Sequence, residues 1–226
     1  MTNARPATTA PKDRLIICDL DGTLADTLPG IAHSLQGVLR RFGLPEPTLA
    51  ETRRHIGGGA RNLVASVLGE AHADLAGAVL EAFGADYNAD PTHGLVLYPG
   101  VRETLARLAE TTALAVATAK ARPATDKCLA HLGIDRFFDA VVTGSEMRAP
   151  KPDPGCVFDL LDRLGTPAGR TMVVGDTEAD VQTAANAGVA AWVVPYGYGA
   201  ERLEELGGFD RMVEKFSDIT EWSPTT

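Results

Sequence analysis

The chain has 226 residues, enough to bury a sizeable core, long for one compact domain and short for two of average size. Its hydrophobic fraction of 45% and charged fraction of 23% are those of an ordinary globular protein, and a formal net charge of -9 argues against a nucleic-acid surface. No apolar run is long enough to span a bilayer.

Met1 to Lys12, rich in Thr, Ala and Pro and without a signal-peptide core, is expected to be a flexible tail. Leu15 to Cys18 then forms an apolar run that predicts a buried strand, and Asp19-Leu20-Asp21-Gly22-Thr23 follows where that strand ends. Residues two apart in extended backbone point the same way, so Asp19 and Asp21 can face one reacting centre or one metal. A calcium loop beginning Asp-x-Asp wants glycine at the sixth position and glutamate at the twelfth. Here the glycine comes fourth and the twelfth residue is Gly30, which excludes that reading.

Leu28, Ile31, Leu35, Val38, Leu39 and Phe42 recur at helical spacing until Gly43, and Pro45 and Pro47 predict a loop. A second helical pattern runs from Ala60 to Leu68, after Gly57-Gly58-Gly59, and a third carries Leu75, Val79, Leu80, Phe83 and Tyr87. From about Asp26 to Val96 there are no β-branched runs, so residues 27–96 are expected to form a separate helical insert between core segments 13–26 and 97–226.

From Tyr98 onward short apolar runs alternate with amphipathic helices. Strands are predicted at Ala113 to Thr118, Ala140 to Gly144, Thr171 to Gly175 and Ala190 to Pro195. Helices are predicted from Gly100 to Glu110, from Pro123 to Gly133, from Asp153 to Leu164 and from Glu178 to Ala187. This alternation gives an α/β fold: a Rossmann-like parallel sheet with right-handed crossovers and helices on both faces, plus the helical insert. Ligands in such folds bind at the carboxyl ends of the strands. Asp19, Asp21, Thr118, Ala119, Lys120, Asp176, Thr177 and Asp180 all fall near those ends, and Lys151 sits in a proline-rich loop leading from a strand to a helix.

Acids, a lysine and a threonine around one point suit phosphoryl transfer. Asp19, Asp176 and a backbone carbonyl at Asp21 can hold magnesium, a hard cation that prefers oxygen. Asp19 can attack phosphorus to form an aspartyl-phosphate, while Asp21 protonates the leaving oxygen and later takes a proton from water. Thr118, Lys151 and backbone amides, including that of Ala119, can neutralise the equatorial oxygens.

Asp19-Leu20-Asp21-Gly22-Thr23, Thr118, Lys151-Pro152 and Gly175-Asp176-x-x-x-Asp180 together resemble, in order and spacing, the four motifs of the haloacid dehalogenase-like (HAD) hydrolase superfamily, from about Leu15 to Val194. The resemblance implies a Rossmann-like core, an aspartyl-phosphate and magnesium. Aspartate at Asp21 resembles the phosphatase and phosphomutase branches, and the helical insert resembles the family's α-helical cap. Within it, Ile56-Gly57-Gly58-Gly59-Ala60-Arg61-x-Leu63 resembles the cap loop of phosphoglycolate phosphatases, as does Tyr196-Gly197-Tyr198-Gly199 near the end of the core. Three glycines before a helix expose amide donors and Arg61 adds a cation, so Gly58 and Arg61 can dock an anion; alternatively the glycines serve cap motion or tight packing. Thr23 joins the substrate-binding set.

The second motif reads Thr118-Ala119-Lys120 where relatives commonly carry Thr-Asn-Lys, and Lys120 is either a solvated helix-start charge or a site residue. Asp180 is expected to anchor Lys151 or a metal-bound water. The expected activity is magnesium-dependent hydrolysis of a small anionic phosphomonoester, with 2-phosphoglycolate as the substrate of choice. Sugar-phosphate phosphatase, pyrophosphatase and phosphomutase are the rivals within the class, and a non-catalytic binding protein is the rival outside it. Residues 26–96 contain no lysine for a Schiff base, which argues against phosphonate hydrolysis. Neither nucleic acid nor membrane is an expected partner. Cys18, Cys128 and Cys156 are expected to be reduced core residues of a cytoplasmic monomer or homodimer.

Overall fold

A computed structural model describes residues 12–224, so Met1 to Pro11, where most of the expected tail falls, lie outside the described residues. Lys12 is described, and it pairs with Asp139 at 2.7 Å. The main sheet is built from β1 (Leu15–Cys18), β4 (Ala113–Thr118), β5 (Ala140–Thr143), β6 (Thr171–Gly175), β7 (Ala190–Val193) and β8 (Arg211–Met212). Their order is β5-β4-β1-β6-β7-β8, and every neighbouring pair is parallel.

Period-two alternation sends each strand's side chains to opposite faces, and both faces are covered. On one face Ile16, Cys18, Leu114, Val116, Met172 and Val174 pack with residues of α5 (Val101–Leu108) and α6 (Arg122–Leu132). On the other, Leu15, Ile17, Ala113, Ala115, Ala117 and Val173 meet α7 (Gly155–Leu164) and α8 (Glu178–Ala187). Leu15, Ile16, Ile17 and Leu114 are fully buried, and each contributes roughly 1.5–3 kcal/mol through removal from water. The central strands are therefore apolar on both faces, and their first polar positions come only where they emerge.

The chain leaves β1, builds outward through β4 and β5 on one side, then crosses to β6, β7 and β8 on the other. Strand order reverses at β1, and a crevice opens beyond the carboxyl ends of β1, β4 and β6. Over that crevice lie α1 (Leu28–Arg41), α2 (Leu49–Arg54), α3 (Gly59–Leu68) and α4 (Ala76–Ala89). They share an apolar cluster of their own, including Ile31, Leu35, Leu63, Val79 and Phe83, to which Ala124 and Tyr198 are added from outside the helices.

The segment predicted to be nearly all helix is bracketed by β2 (Ala25–Asp26) and β3 (Val96–Leu97), a two-residue antiparallel pair that brings its entry and exit together. The predicted loop after Gly43 holds α2, started by a capping box in which Thr48 and Glu51 satisfy each other's backbone amides. Helix α7 begins at Gly155, two residues later than expected, with Asp153 accepting the Gly155 amide at 2.8 Å. Strand β7 ends at Val193, short of the expected Pro195, and β8 was not foreseen.

Candidate active site

Asp19 directly follows β1 and keeps its ladder: its backbone N–H donates to the Val174 carbonyl at 2.9 Å. The chain then turns at Gly22, whose φ of 88° is the left-handed region that favours glycine. A Cβ there would come within 2.3 Å of an Asp176 carboxylate oxygen, and one at Gly197 would come as close to the Asp176 Cβ. Asp176, first residue beyond β6, is thus enclosed by backbone on two sides. Its Oδ1 accepts from the Thr23 hydroxyl at 2.8 Å and its Oδ2 from the Tyr198 amide at 2.6 Å.

Lys151 reaches the same point, donating to Asp19 Oδ1 at 3.0 Å and to Asp180 Oδ1 at 2.6 Å. Asp180 Oδ2 accepts from the Thr177 hydroxyl and amide in a capping box that opens α8. Asp19, Asp176 and Asp180 are all buried, and each places a carboxylate oxygen within 4.8 Å of the others'. The Lys151 ammonium pairs with two of them, Asp19 and Asp180. Burial raises Asp19 well above the ordinary carboxylate range, with Lys151 opposing the rise and its acidic neighbours adding to it. Burial, and then the charge of Asp180, pushes Asp176 up to about 7, while the Thr23 hydroxyl and Tyr198 amide pull it down. Lys151 is held up despite its burial because Asp180 and Asp19 outweigh the desolvation.

This donor set fits a divalent cation. It consists of oxygens only and carries more negative charge than Lys151 can balance. Asp180 already accepts three hydrogen bonds, so Asp19 and Asp176 are the carboxylates left to hold an ion. The sign of the pH effect follows. A carboxyl whose folded pKa exceeds its unfolded value adds stability while protonated and loses it as pH rises through the folded value. Between the ordinary 3.8 and about 7 for Asp176, the chelator-treated protein is expected to lose stability with rising pH. Thermal melts at about pH 5 and about pH 8 check this, and added magnesium should raise the melting temperature more at the higher pH, where it no longer competes with protons. A metal-free protein equally stable at both would contradict it.

Asp21 faces the other side of the crevice. Its Oδ1 accepts from the Thr27 hydroxyl at 2.6 Å and lies 2.9 Å from Lys120 Nζ. Lys120 also donates to the Tyr87 hydroxyl of α4 at 2.7 Å, with its ammonium 4.5 Å from the Tyr87 ring centroid. The loop after β4 is held by the Gly144 amide on the Lys120 carbonyl at 2.9 Å and by the Lys120 amide on the Thr118 hydroxyl at 3.2 Å. Between these strand ends and the helices lies a cavity of about 90 Å³, small beside the roughly 300–1,000 Å³ that drug-sized ligands occupy. Asp19, Asp21, Thr118, Ala119 and Lys120 form its polar side; Ile31, Ile56, Leu63 and Phe83 are among its apolar lining.

Several expected site residues take other places in the structure. Thr23, expected at the substrate, is fully buried and spends its hydroxyl on Asp176. Gly58 and Arg61 do not line the cavity, whereas Gly57 and Gly59 do. Gly59 and Leu63 are four apart and share the inward face of α3, so Arg61, midway between them, falls on the opposite face and is exposed. Of the two readings of Lys120, a solvated helix-start charge and a site residue, its burial against the cavity fits the second.

Arg53 donates to the Gly197 carbonyl and lies over the Tyr198 ring. Tyr198 was missed as a physical element. Its hydroxyl accepts the Thr27 and Leu28 amides at 2.7 and 2.9 Å and donates to Asp26 at 2.8 Å, tying β2 and the start of α1 to the loop that encloses Asp176.

A family model described as haloacid dehalogenase-like hydrolase matches residues 16–194. A phosphoglycolate phosphatase of Pseudomonas syringae pv. syringae is 37% identical over 196 residues, covering 84% of this chain and 72% of that one. The phosphoglycolate phosphatase of Rhodospirillum rubrum is 36% identical over 218 residues, 92% of this chain and 90% of that one. Among solved structures, a predicted phosphoglycolate phosphatase from Haemophilus somnus superposes with a TM-score of 0.84 at 29% identity, covering 93% of this chain and 97% of that one.

Proposed function

The chain belongs to the haloacid dehalogenase-like hydrolases, and on that footing we propose that it is a cytoplasmic magnesium-dependent phosphatase acting through Asp19, with 2-phosphoglycolate as its substrate. A phosphoric monoester hydrolase needs a nucleophile, an acid and base, and positive charge around the transferred group. The observation that carries the reading is the convergence of Asp19, Asp176 and Asp180 at the strand ends, with Lys151 paired to Asp19 and Asp180, beside a small cavity that Asp19 and Asp21 line.

In the first half-reaction an Asp19 carboxylate oxygen bonds to phosphorus as the bond from phosphorus to the leaving oxygen breaks. Asp21, oriented by the Thr27 hydroxyl, delivers a proton to that oxygen and the alcohol departs. In the second, Asp21 takes a proton from a water that attacks phosphorus, and the bond to Asp19 breaks to release phosphate. Lys151 and the Thr118 hydroxyl stabilise the equatorial oxygens. Asp19 and Asp176, with the Asp21 carbonyl, would hold the magnesium ion, which when bound would supply further positive charge against the phosphoryl group. Cys18, Cys128 and Cys156 are buried and free, which suits a reducing compartment.

The test is initial phosphate release from equal concentrations of 2-phosphoglycolate, sugar phosphates, pyrophosphate and p-nitrophenyl phosphate, with magnesium and with chelator. A preference for 2-phosphoglycolate that disappears on chelation is expected. Equal or faster turnover of sugar phosphates would overturn the substrate, and undiminished activity in chelator would overturn the metal.

A further inference from the structure

The catalytic scheme leaves one buried cation without a task. Lys120 lies on the cavity side of the loop after β4, its side chain only 3% exposed. An ammonium can donate three hydrogen bonds. Among the described residues Lys120 donates one, to Tyr87, and forms an ion pair with Asp21 at 2.9 Å. It is also the sole cationic side chain lining the cavity among those residues, since Arg61 and Arg53 are occupied elsewhere or turned outward.

We propose that Lys120 is the counter-ion for a negative group on the substrate's leaving alcohol, so that the chamber selects phosphomonoesters carrying a carboxylate close to the ester oxygen. This rests on the phosphatase reading above and names the residue behind its specificity. Asp21, which must reach the leaving oxygen, lies 2.9 Å from the Lys120 ammonium. A carboxylate one carbon beyond the ester carbon therefore falls within reach of that ammonium while the ester oxygen stays at Asp21. The facing lining is mostly apolar, with Ile31, Ile56, Leu63 and Phe83 and the neutral Asn88, and offers a carboxylate no rival side-chain cation among the described residues. Tyr87 fixes the ammonium from the side of α4 through both its hydroxyl and its ring, so the cation is in place before substrate arrives. A neutral leaving group adds no counter-charge to the ammonium beyond Asp21, whereas a carboxylate does, and a built polar site favours the substrate that carries the matching group.

The experiment compares 2-phosphoglycolate with 2-hydroxyethyl phosphate, which has the same skeleton and no charge on its leaving group, in the full chain with magnesium. The unaltered protein is expected to prefer the acid. Lys120→Met should lower kcat/KM for 2-phosphoglycolate about 10- to 100-fold more than for 2-hydroxyethyl phosphate, chiefly through KM, because a charge-assisted hydrogen bond is lost. Lys120→Arg should return part of the preference. If Lys120→Met lowered both substrates equally through kcat, Lys120 would only position Asp21 and the inference would fall. Should Lys120→Met lose its folded circular dichroism, Lys120→Gln makes the same comparison with a neutral donor retained. A wild-type protein that hydrolyses both esters alike overturns the inference and leaves the phosphatase standing; one that hydrolyses no ester in the panel removes both.

Discussion

Asp19→Asn is expected to lower turnover by about 10⁴-fold or more, because an amide oxygen cannot replace the carboxylate that bonds to phosphorus. Stability should move the other way. The wild-type carboxylate is buried beside Asp176 and Asp180, and burial together with that repulsion already holds its pKa high. Removing the charge relieves both, while Lys151 keeps its 2.6 Å bond to Asp180 and can still donate to the amide oxygen. The melting temperature of the chelator-treated variant should therefore match or exceed that of the parent. Loss of activity accompanied by a large loss of stability would mean that Asp19 is structural, and retained activity would remove it as nucleophile.

Lys151→Met is expected to abolish activity and to destabilise as well, which separates it from Asp19→Asn. Among the described residues Lys151 is the cation paired with both Asp19 and Asp180, and the side chains concerned are 10% exposed or less. Removing one partner of a buried ion pair costs about 3–5 kcal/mol, since the remaining charge is left uncompensated. For a chain of this size that corresponds to a fall in melting temperature on the order of 10 °C. Magnesium should recover part of the loss in stability, because an ion held by Asp19 and Asp176 supplies some of the missing charge, but none of the activity that depends on the ammonium. An unchanged melting temperature with and without metal would contradict the account of how the acidic cluster is balanced.

The elements that carry the chemistry were legible because they are long, apolar and cleanly bounded. Strands β4 and β6 and helix α8 fall on the expected residues, and the carboxylates of Asp19, Asp176 and Asp180 meet where strand ends predict. Two-residue strands such as β2, β3 and β8 contain too little sequence for any period to show. Helix α2 had a readable signal, Thr48 followed by Glu51 at capping-box spacing, which the flanking Pro45 and Pro47 obscured.

Side-chain roles set by distant packing were the least accessible. Lys120 is buried because Tyr87, 33 positions away on α4, comes down upon it, and no local pattern in Thr118-Ala119-Lys120 encodes that. Tyr87 itself sits at the helical spacing of Val79 and Phe83, so its apolar body explained its place and its hydroxyl went unread. Arg61 lies away from the cavity for a different reason. Along α3 Gly59 and Leu63 line the cavity while Arg61, between them, is exposed, a helical phase that the run of three glycines does not reveal in sequence.

The most direct test of the central claim, that Asp19 carries the phosphoryl group, is acid quenching of the enzyme during turnover of 2-phosphoglycolate with magnesium, followed by peptide mass analysis. The peptide containing Asp19 and Asp21 should gain the mass of one phosphoryl group, fragmentation should place it on Asp19, and the signal should be absent from Asp19→Asn. Rapid turnover with no phosphorylated peptide at any quench time, or a phosphoryl group on another residue, would contradict the covalent route.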